Sequence, residues 1–203
     1  MEKVLGVIDY GLGNLRSVSK ALEVLGVKVI LSSDVRRLSE VRGLILPGVG
    51  AFKRGMENLE KLGLKDFLRQ SLNRGIPFLG ICLGFQLLFT ESEEGGRVKG
   101  LEVLKGRVVR FSKGIKIPHM GWNQVEFKKD NNLFKEIPDK SFFYFVHSYY
   151  VEPEDKDIVI STTDYGGEFV SAINKDNLWA VQFHPEKSSE LGLKLLKNFI
   201  SIC

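Results

Sequence analysis

Cysteine and histidine are scarce in this chain. Among 203 residues there are two cysteines, Cys82 and Cys203, and three histidines, His119, His147 and His184. Two cysteines cannot build the multi-bridge framework of a small secreted domain, so a reducing, cytoplasmic setting is expected. The histidines have no zinc-like ligand spacing around them, so no metal is expected, and no cofactor. The chain also lacks an apolar run of membrane-spanning length. Its opening, Met1-Glu2-Lys3-Val4-Leu5-Gly6, has no signal-peptide layout, so membrane association is not expected either. Nor is charge of one sign segregated. Lys and Arg total 29 against 25 Asp and Glu, a net charge of +4, and the basic residues alternate with acidic ones, as in Lys53-Arg54-Gly55-Met56-Glu57-Asn58-Leu59-Glu60-Lys61. No basic block interleaved with aromatics appears, which argues against nucleic acid as a partner. Without a repeat, a low-complexity segment or a Pro/Gly/Ser-rich linker, residues 1–203 read as a single domain with room for a sizeable core.

What is present is a change of rhythm halfway along. The first ninety or so residues alternate strand and helix patterns. Val4–Ile8, Val27–Leu31, Gly43–Leu46 and Pro77–Ile81 are short apolar runs. Between the first two, Leu15, Val18, Leu22 and Leu25 recur at helical spacing, with Asn14 as candidate N-cap and Gly26 as the stop. A helical region from Met56 to Arg74 is broken near Gly63. Such alternation predicts an α/β fold, a three-layer arrangement with a mostly parallel open sheet and helices on both faces. The second half carries short runs rich in β-branched and aromatic residues: Val103–Leu104, Val108–Phe111, Val125–Phe127, Phe142–Val146, Ile158–Thr162, Val170–Ile173 and Trp179–Phe183. Turn signals at Lys105-Gly106, Ser112-Lys113-Gly114, Asp164-Tyr165-Gly166-Gly167 and Lys175-Asp176-Asn177 separate them, predicting antiparallel additions to the sheet. Leu191 to Ile200 reads as a closing amphipathic helix, and the polar stretch Glu91–Gly100 as a mobile loop.

One of the two cysteines sits in a distinctive context. Pro77-Phe78-Leu79-Gly80-Ile81 reads as a buried strand, and Phe85, Leu88 and Phe89 follow at helical spacing. Cys82 lies at the switch, inside Gly80-x-Cys82-x-Gly84. That is the strand–turn–helix context of a nucleophile elbow with Cys in place of Ser. The glycines allow a sharp turn without a clashing Cβ, and the N-terminus of the following helix favours the thiolate. A lone cysteine in an apolar stretch is ordinarily a core residue, so a base must be found elsewhere. His184-Pro185-Glu186 follows a run of strand pattern, Leu178–Phe183. A carboxylate there can fix one ring nitrogen while the other faces a thiol. Both groups then lie at carboxyl ends of strands, where ligands of such sheets bind. An attack on a carbonyl also needs donors for an oxyanion. The N–H of Leu83 is one candidate, and Pro47-Gly48-Val49-Gly50, at the end of another strand, offers Val49. An ordinary Gly-rich turn reads equally well there.

The motifs Gly80-Ile81-Cys82-Leu83-Gly84-Phe85-Gln86, Pro47-Gly48-Val49-Gly50 and His184-Pro185-Glu186 together resemble the class I, triad-type glutamine amidotransferases, almost end to end. The resemblance implies that Cys82 attacks the side-chain amide of L-glutamine to form a glutamyl thioester, with His184 as acid/base and Glu186 as its orienter. It implies that Val49 and Leu83 form the oxyanion hole after the Val49 peptide rotates, and that Gly50, Gln86, Ser148 and Tyr149 hold the substrate. Pro118-His119-Met120-Gly121-Trp122-Asn123, Tyr144-Phe145-Val146-His147-Ser148-Tyr149 and Asp9-Tyr10-Gly11-Leu12-Gly13-Asn14 narrow the match. They point to the branch whose glutaminase docks on a (β/α)₈ cyclase that makes imidazole glycerol phosphate. That implies a heterodimer, with Asn14, Met120, Trp122, Asn123 and Tyr144 near the interface. Other amidotransferase subunits, a free-standing cysteine hydrolase and a non-catalytic subunit that keeps an old site are the competing readings.

Overall fold

The computed structural model describes residues 3–112 and 114–203. The first half builds β1 (Val4–Ile8), α1 (Leu15–Val24), β2 (Lys28–Ser32), the single turn α2 (Val35–Leu38), β3 (Gly43–Leu46), α3 (Phe52–Lys61), α4 (Leu64–Asn73), β4 (Phe78–Ile81) and the short α5 (Leu83–Gln86). The second half adds β5 (Phe89–Ser92), β6 (Val98–Lys99), β7 (Leu104–Arg110), β8 (His119–Phe127), β9 (Ser141–His147), β10 (Tyr149–Pro153), β11 (Val159–Asp164), β12 (Glu168–Lys175) and β13 (Leu178–Val181), and ends in α6 (Ser189–Ile202). Nine strands form one sheet in the order β2-β1-β3-β4-β13-β12-β11-β8-β9. It is parallel from β2 to β13 and antiparallel from there to β9. A second sheet, β10-β7-β5-β6, is not hydrogen-bonded to it but shares a core with it through Leu104, Val108, Val151 and Ile173.

The inner parallel strands β1, β3 and β4 are apolar and almost wholly buried because helices cover both faces. Successive side chains alternate between two cores, as the pleat requires. Leu5 and Val7 of β1, Ile45 of β3, and Leu79 and Ile81 of β4 enter the core shared with α1 and α6. Ile8, Leu44, Leu46 and Phe78 enter the other, shared with α3 and α4. Gly26 ends α1 at φ +78°, and Gly63, left-handed at φ +67°, separates α3 from α4. Both breaks were predicted. Asn14 does stand at the N-cap position of α1, but its side chain makes no capping hydrogen bond.

Three expectations change. The helix after Cys82 spans only Leu83–Gln86, and Phe89 opens β5 instead of continuing it. Its apolar residues are buried from all sides, so helical spacing there was not evidence for length. The stretch Glu91–Gly100 is not an open loop: Glu91 pairs with Lys99 and Ser92 with Val98 across an antiparallel hairpin. The runs Val103–Leu104 and Val108–Phe111 merge into β7, which pairs with the unpredicted β10. The turn predicted at Ser112-Lys113-Gly114 includes Lys113, which lies outside the described residues, as do Met1 and Glu2.

Among the described glycines the closest approach lies where α5 crosses the end of β3. A Cβ on Gly84 would stand 1.8 Å from the carbonyl oxygen of Leu46, and one on Gly48 would stand 2.2 Å from the Tyr10 hydroxyl. Gly84→Ala is therefore expected to destabilise the fold by about 3 kcal/mol or more in urea titrations. Gly26→Ala, whose Cβ meets nothing within 4 Å, is expected to cost only about 1–2 kcal/mol from its left-handed backbone.

Candidate active site

Strand order assembles the site. β3, β4 and β13 are neighbours, and the chain leaves each carboxyl end carrying one chemical element: Gly48–Gly50 after β3, Cys82 after β4, and His184 after β13. Cys82 adopts φ 54°, ψ −108°, a strained conformation for a residue with a Cβ. It is held there by its N–H, which donates to Val181 at 2.8 Å, and by the glycines either side. Gly80 has the Cβ of Ala180 and the carbonyl of Gly84 at 3.2 Å from its own Cβ position. A larger residue at either glycine would push the elbow off the sheet.

His184 and Glu186 are buried, at 2% and 1% side-chain exposure, with Nδ1 and Oε1 2.8 Å apart. The turn that brings them together is fixed by Ser188, whose hydroxyl donates to the His184 carbonyl at 2.7 Å and accepts the Tyr144 N–H at 3.0 Å. The other ring nitrogen, Nε2, is buried with no hydrogen bond of ordinary geometry among the described residues. Burial works against a charged ring, but a thiolate at Cys82 and the Glu186 carboxylate outweigh it, and His184 is pushed up to about 10. The triad predicted from sequence is thus brought together as a cysteine–imidazole–carboxylate line.

The residues predicted to form an oxyanion hole do not present free donors together. The Leu83 N–H donates to the Gly48 carbonyl at 3.3 Å, so the donor beside the nucleophile is already taken. Gly50 stands at φ +118° and Val49 is partly exposed at 36%, while the Tyr10 hydroxyl packs against Gly48.

Gln86 is buried, and its amide nitrogen donates both to the Tyr149 carbonyl at 2.8 Å and to Gln182 Oε1 at 3.0 Å. A cleft of about 440 Å³ is lined by Val49, Gly50, Cys82, Gln86, Ser148 and Tyr149, among others. It gathers the predicted substrate residues in one place. A groove of about 1070 Å³ elsewhere, between Arg107, Lys128 and Glu152, holds none of them.

Of the residues predicted to face a partner, Met120 and Trp122 are exposed at 59% and 52%, and Tyr144 pairs with Trp122 across β8 and β9. Asn14 is half-buried at the start of α1. Asn123 instead turns inward. Its amide donates to the Asp164 carbonyl at 2.9 Å and reaches His119 Nε2 at 3.3 Å.

His119 and His147 form a buried pair, Nδ1 to Nε2, at 3.0 Å. His147 Nδ1 lies 2.8 Å from the Tyr149 carbonyl, which can only accept. His147 therefore carries its proton on Nδ1 and accepts on Nε2, and His119 donates from Nδ1 and accepts from Asn123. Burial lowers His119 to about 4 and His147 to about 3. The sequence carried no sign of this pair. It also missed Gln182, fully buried, whose amide nitrogen lies 3.6 Å from the Cys82 sulfur. The signal was there: a lone Gln between Val181 and Phe183, at the apolar end of the strand that leads to His184.

Comparison with known proteins agrees with this geometry. Residues 6–203 match the family model "Glutamine amidotransferase class-I". The chain belongs to that family. It is 56% identical over 194 residues to "Imidazole glycerol phosphate synthase subunit HisH" of Aquifex aeolicus, covering 95% of this chain and 94% of that one. It is 54% identical over 195 residues to the protein of the same name in Moorella thermoacetica, covering 96% and 93%. Within the class it is thus a member of the HisH group. In fold it is similar to PurLQS from Thermotoga maritima, with a TM-score of 0.77 at 21% identity over 100% of this chain and 99% of that one.

With three histidines, the protonation states can be read directly by NMR. At pH 7 only His184 is expected to be protonated. In Cys82→Ser its titration midpoint should fall, because the thiolate is gone while burial still opposes the charge. A midpoint unchanged by the substitution would show that the sulfur does not face the ring.

Proposed function

We propose that this chain is the glutaminase subunit of an imidazole glycerol phosphate synthase, hydrolysing L-glutamine to glutamate and ammonia and serving a (β/α)₈ cyclase subunit in the cytoplasm. The observation that carries the reading is the buried line from Cys82 through His184 to Glu186 on adjacent strands β4 and β13. The Cys82 thiolate forms a bond to the amide carbon of glutamine, and the carbonyl π electrons move to oxygen. The His184 imidazolium gives its proton to the departing nitrogen, and ammonia leaves as the thioester forms. His184, now neutral, takes a proton from water, whose oxygen attacks the thioester. Glutamate leaves and the thiolate returns.

In this reading the oxyanion is met by the N–H groups of Leu83 and Val49. The Gly48 carbonyl, which occupies the Leu83 donor, has to turn away first, and the same rotation brings in the Val49 N–H. A cleft lined by Gly50, Gln86, Ser148 and Tyr149 suits the α-amino and α-carboxylate ends of glutamine. Gln86 spends both amide hydrogens on the protein, which leaves Oε1 as the atom to accept from the substrate's ammonium.

The partner face is the edge pair β8–β9, where Met120, Trp122 and Phe142 are exposed apolar residues beside Tyr144. Ammonia released into neutral water is protonated and loses its nucleophilic lone pair, a chemical reason to dock. Asn14 borders that surface in this reading, and Asn123 supports it from behind. No helix among the described residues is long and apolar enough to cross a membrane.

Glutamate release from glutamine, assayed with the cyclase and its nucleotide ligand, should vanish in Cys82→Ala. Release at the wild-type rate would end the reading. The purified chain mixed with cyclase should elute as a one-to-one complex at micromolar concentration. Trp122→Ala should weaken that complex by on the order of tenfold or more, since exposed aromatics commonly anchor interfaces. Separate elution of the wild-type chains would remove the partner.

A further inference from the structure

Gln182 is not part of the triad, the oxyanion segment or the glutamine cleft, yet it touches the nucleophile. It follows β13, is fully buried, and its backbone N–H donates to Ser171 at 2.8 Å. Both ends of its amide are engaged. Oε1 accepts from Gln86 at 3.0 Å, and Nε2 lies 3.6 Å from Cys82 Sγ.

The orientation of this amide follows from its neighbours. The Tyr149 carbonyl can only accept, so Gln86 must present its nitrogen there, at 2.8 Å. The second hydrogen of that same nitrogen points to Gln182, which must answer with oxygen. Gln182 is thereby forced to turn its NH₂ toward the sulfur. The hydrogen bonds from Gln86 onward all run one way to Cys82, whose sulfur in turn stands 4.0 Å from the Val146 carbonyl.

We propose that Gln182 is a further catalytic residue, whose side-chain N–H donates to the Cys82 sulfur and stabilises the thiolate before attack and after the thioester is broken. During acylation the sulfur lone pair becomes the C–S bond, and the charge that Gln182 faced moves to the carbonyl oxygen. When water attacks the thioester, the C–S electrons return to sulfur, and the N–H again meets a full negative charge. Gln182 therefore favours sulfur as leaving group, and its loss should slow deacylation in particular.

The test reads the thiol itself, so its outcome is independent of whether glutamine is the substrate. A Cys203→Ser background leaves Cys82 as the single cysteine. The rate of alkylation by iodoacetamide is followed against pH in that background, in Gln182→Met and in Gln182→Glu. Loss of a hydrogen bond to a charged group should raise the midpoint of the thiol titration by on the order of one pH unit in Gln182→Met. Gln182→Glu should raise it further, because one carboxylate oxygen keeps the bond from Gln86 while the other faces the sulfur. Thermal melting of each variant reports folding separately. If Gln182→Met does not fold, the isosteric Gln182→Glu decides alone. A lowered melting temperature with an unmoved midpoint would mean that Gln182 is only a packing residue, and would overturn the proposal.

Discussion

The rest of the structure depends on one close approach, the N-terminus of α5 against the end of β3. Gly84 and Gly48 leave no space for side chains, and the Leu46 and Gly48 carbonyls meet the elbow directly. That contact sets where the Cys82 sulfur stands relative to β3 on one side and β13 on the other. It also brings the Leu83 N–H against the segment that blocks it. Placement of the candidate nucleophile and occupation of the Leu83 N–H are therefore consequences of a single piece of packing. A substitution at either glycine cannot alter one without the other.

Burial gives the site a second layer of control. His184, Glu186, Gln182 and Gln86 are all withdrawn from solvent. In that environment an unpaired polar group is costly, so each must be matched to a partner or to a charge. His184 is matched to charges on both sides. His119 and His147 are matched only to each other, to Asn123 and to a carbonyl, and burial keeps them neutral. The same residue type thus plays opposite roles a short distance apart, and the difference is whether a carboxylate and a thiolate are near.

The parallel half of the fold was legible because its strands are short, mostly apolar runs, and its helices carry clear breaks at Gly26 and Gly63. The triad was legible because each member sits in a short motif at a strand end. The second sheet was not. Only β7 was visible in it: Glu91, Ser92 and Lys99 put polar residues into β5 and β6, and Pro153 stands at the end of β10, which hid the strand character of those three. The length of α5 was misread because Leu87, Leu88 and Phe89 are buried in any conformation, and burial erases periodicity. The orientation of Asn123 was not legible for a related reason: strand alternation tells which residues share a face, but not which face meets solvent.

The Gly48 carbonyl resting on the Leu83 N–H has a consequence for the cell's nitrogen economy. Under the proposed function, a copy of this chain with that donor occupied would hold glutamine in its cleft and still lack the means to stabilise its breakdown. Under the reading above, subunits made in excess of their partner would sit idle and leave the glutamine pool untouched. The safeguard resides in a single peptide group and demands no inhibitor, no modification and no degradation of the surplus.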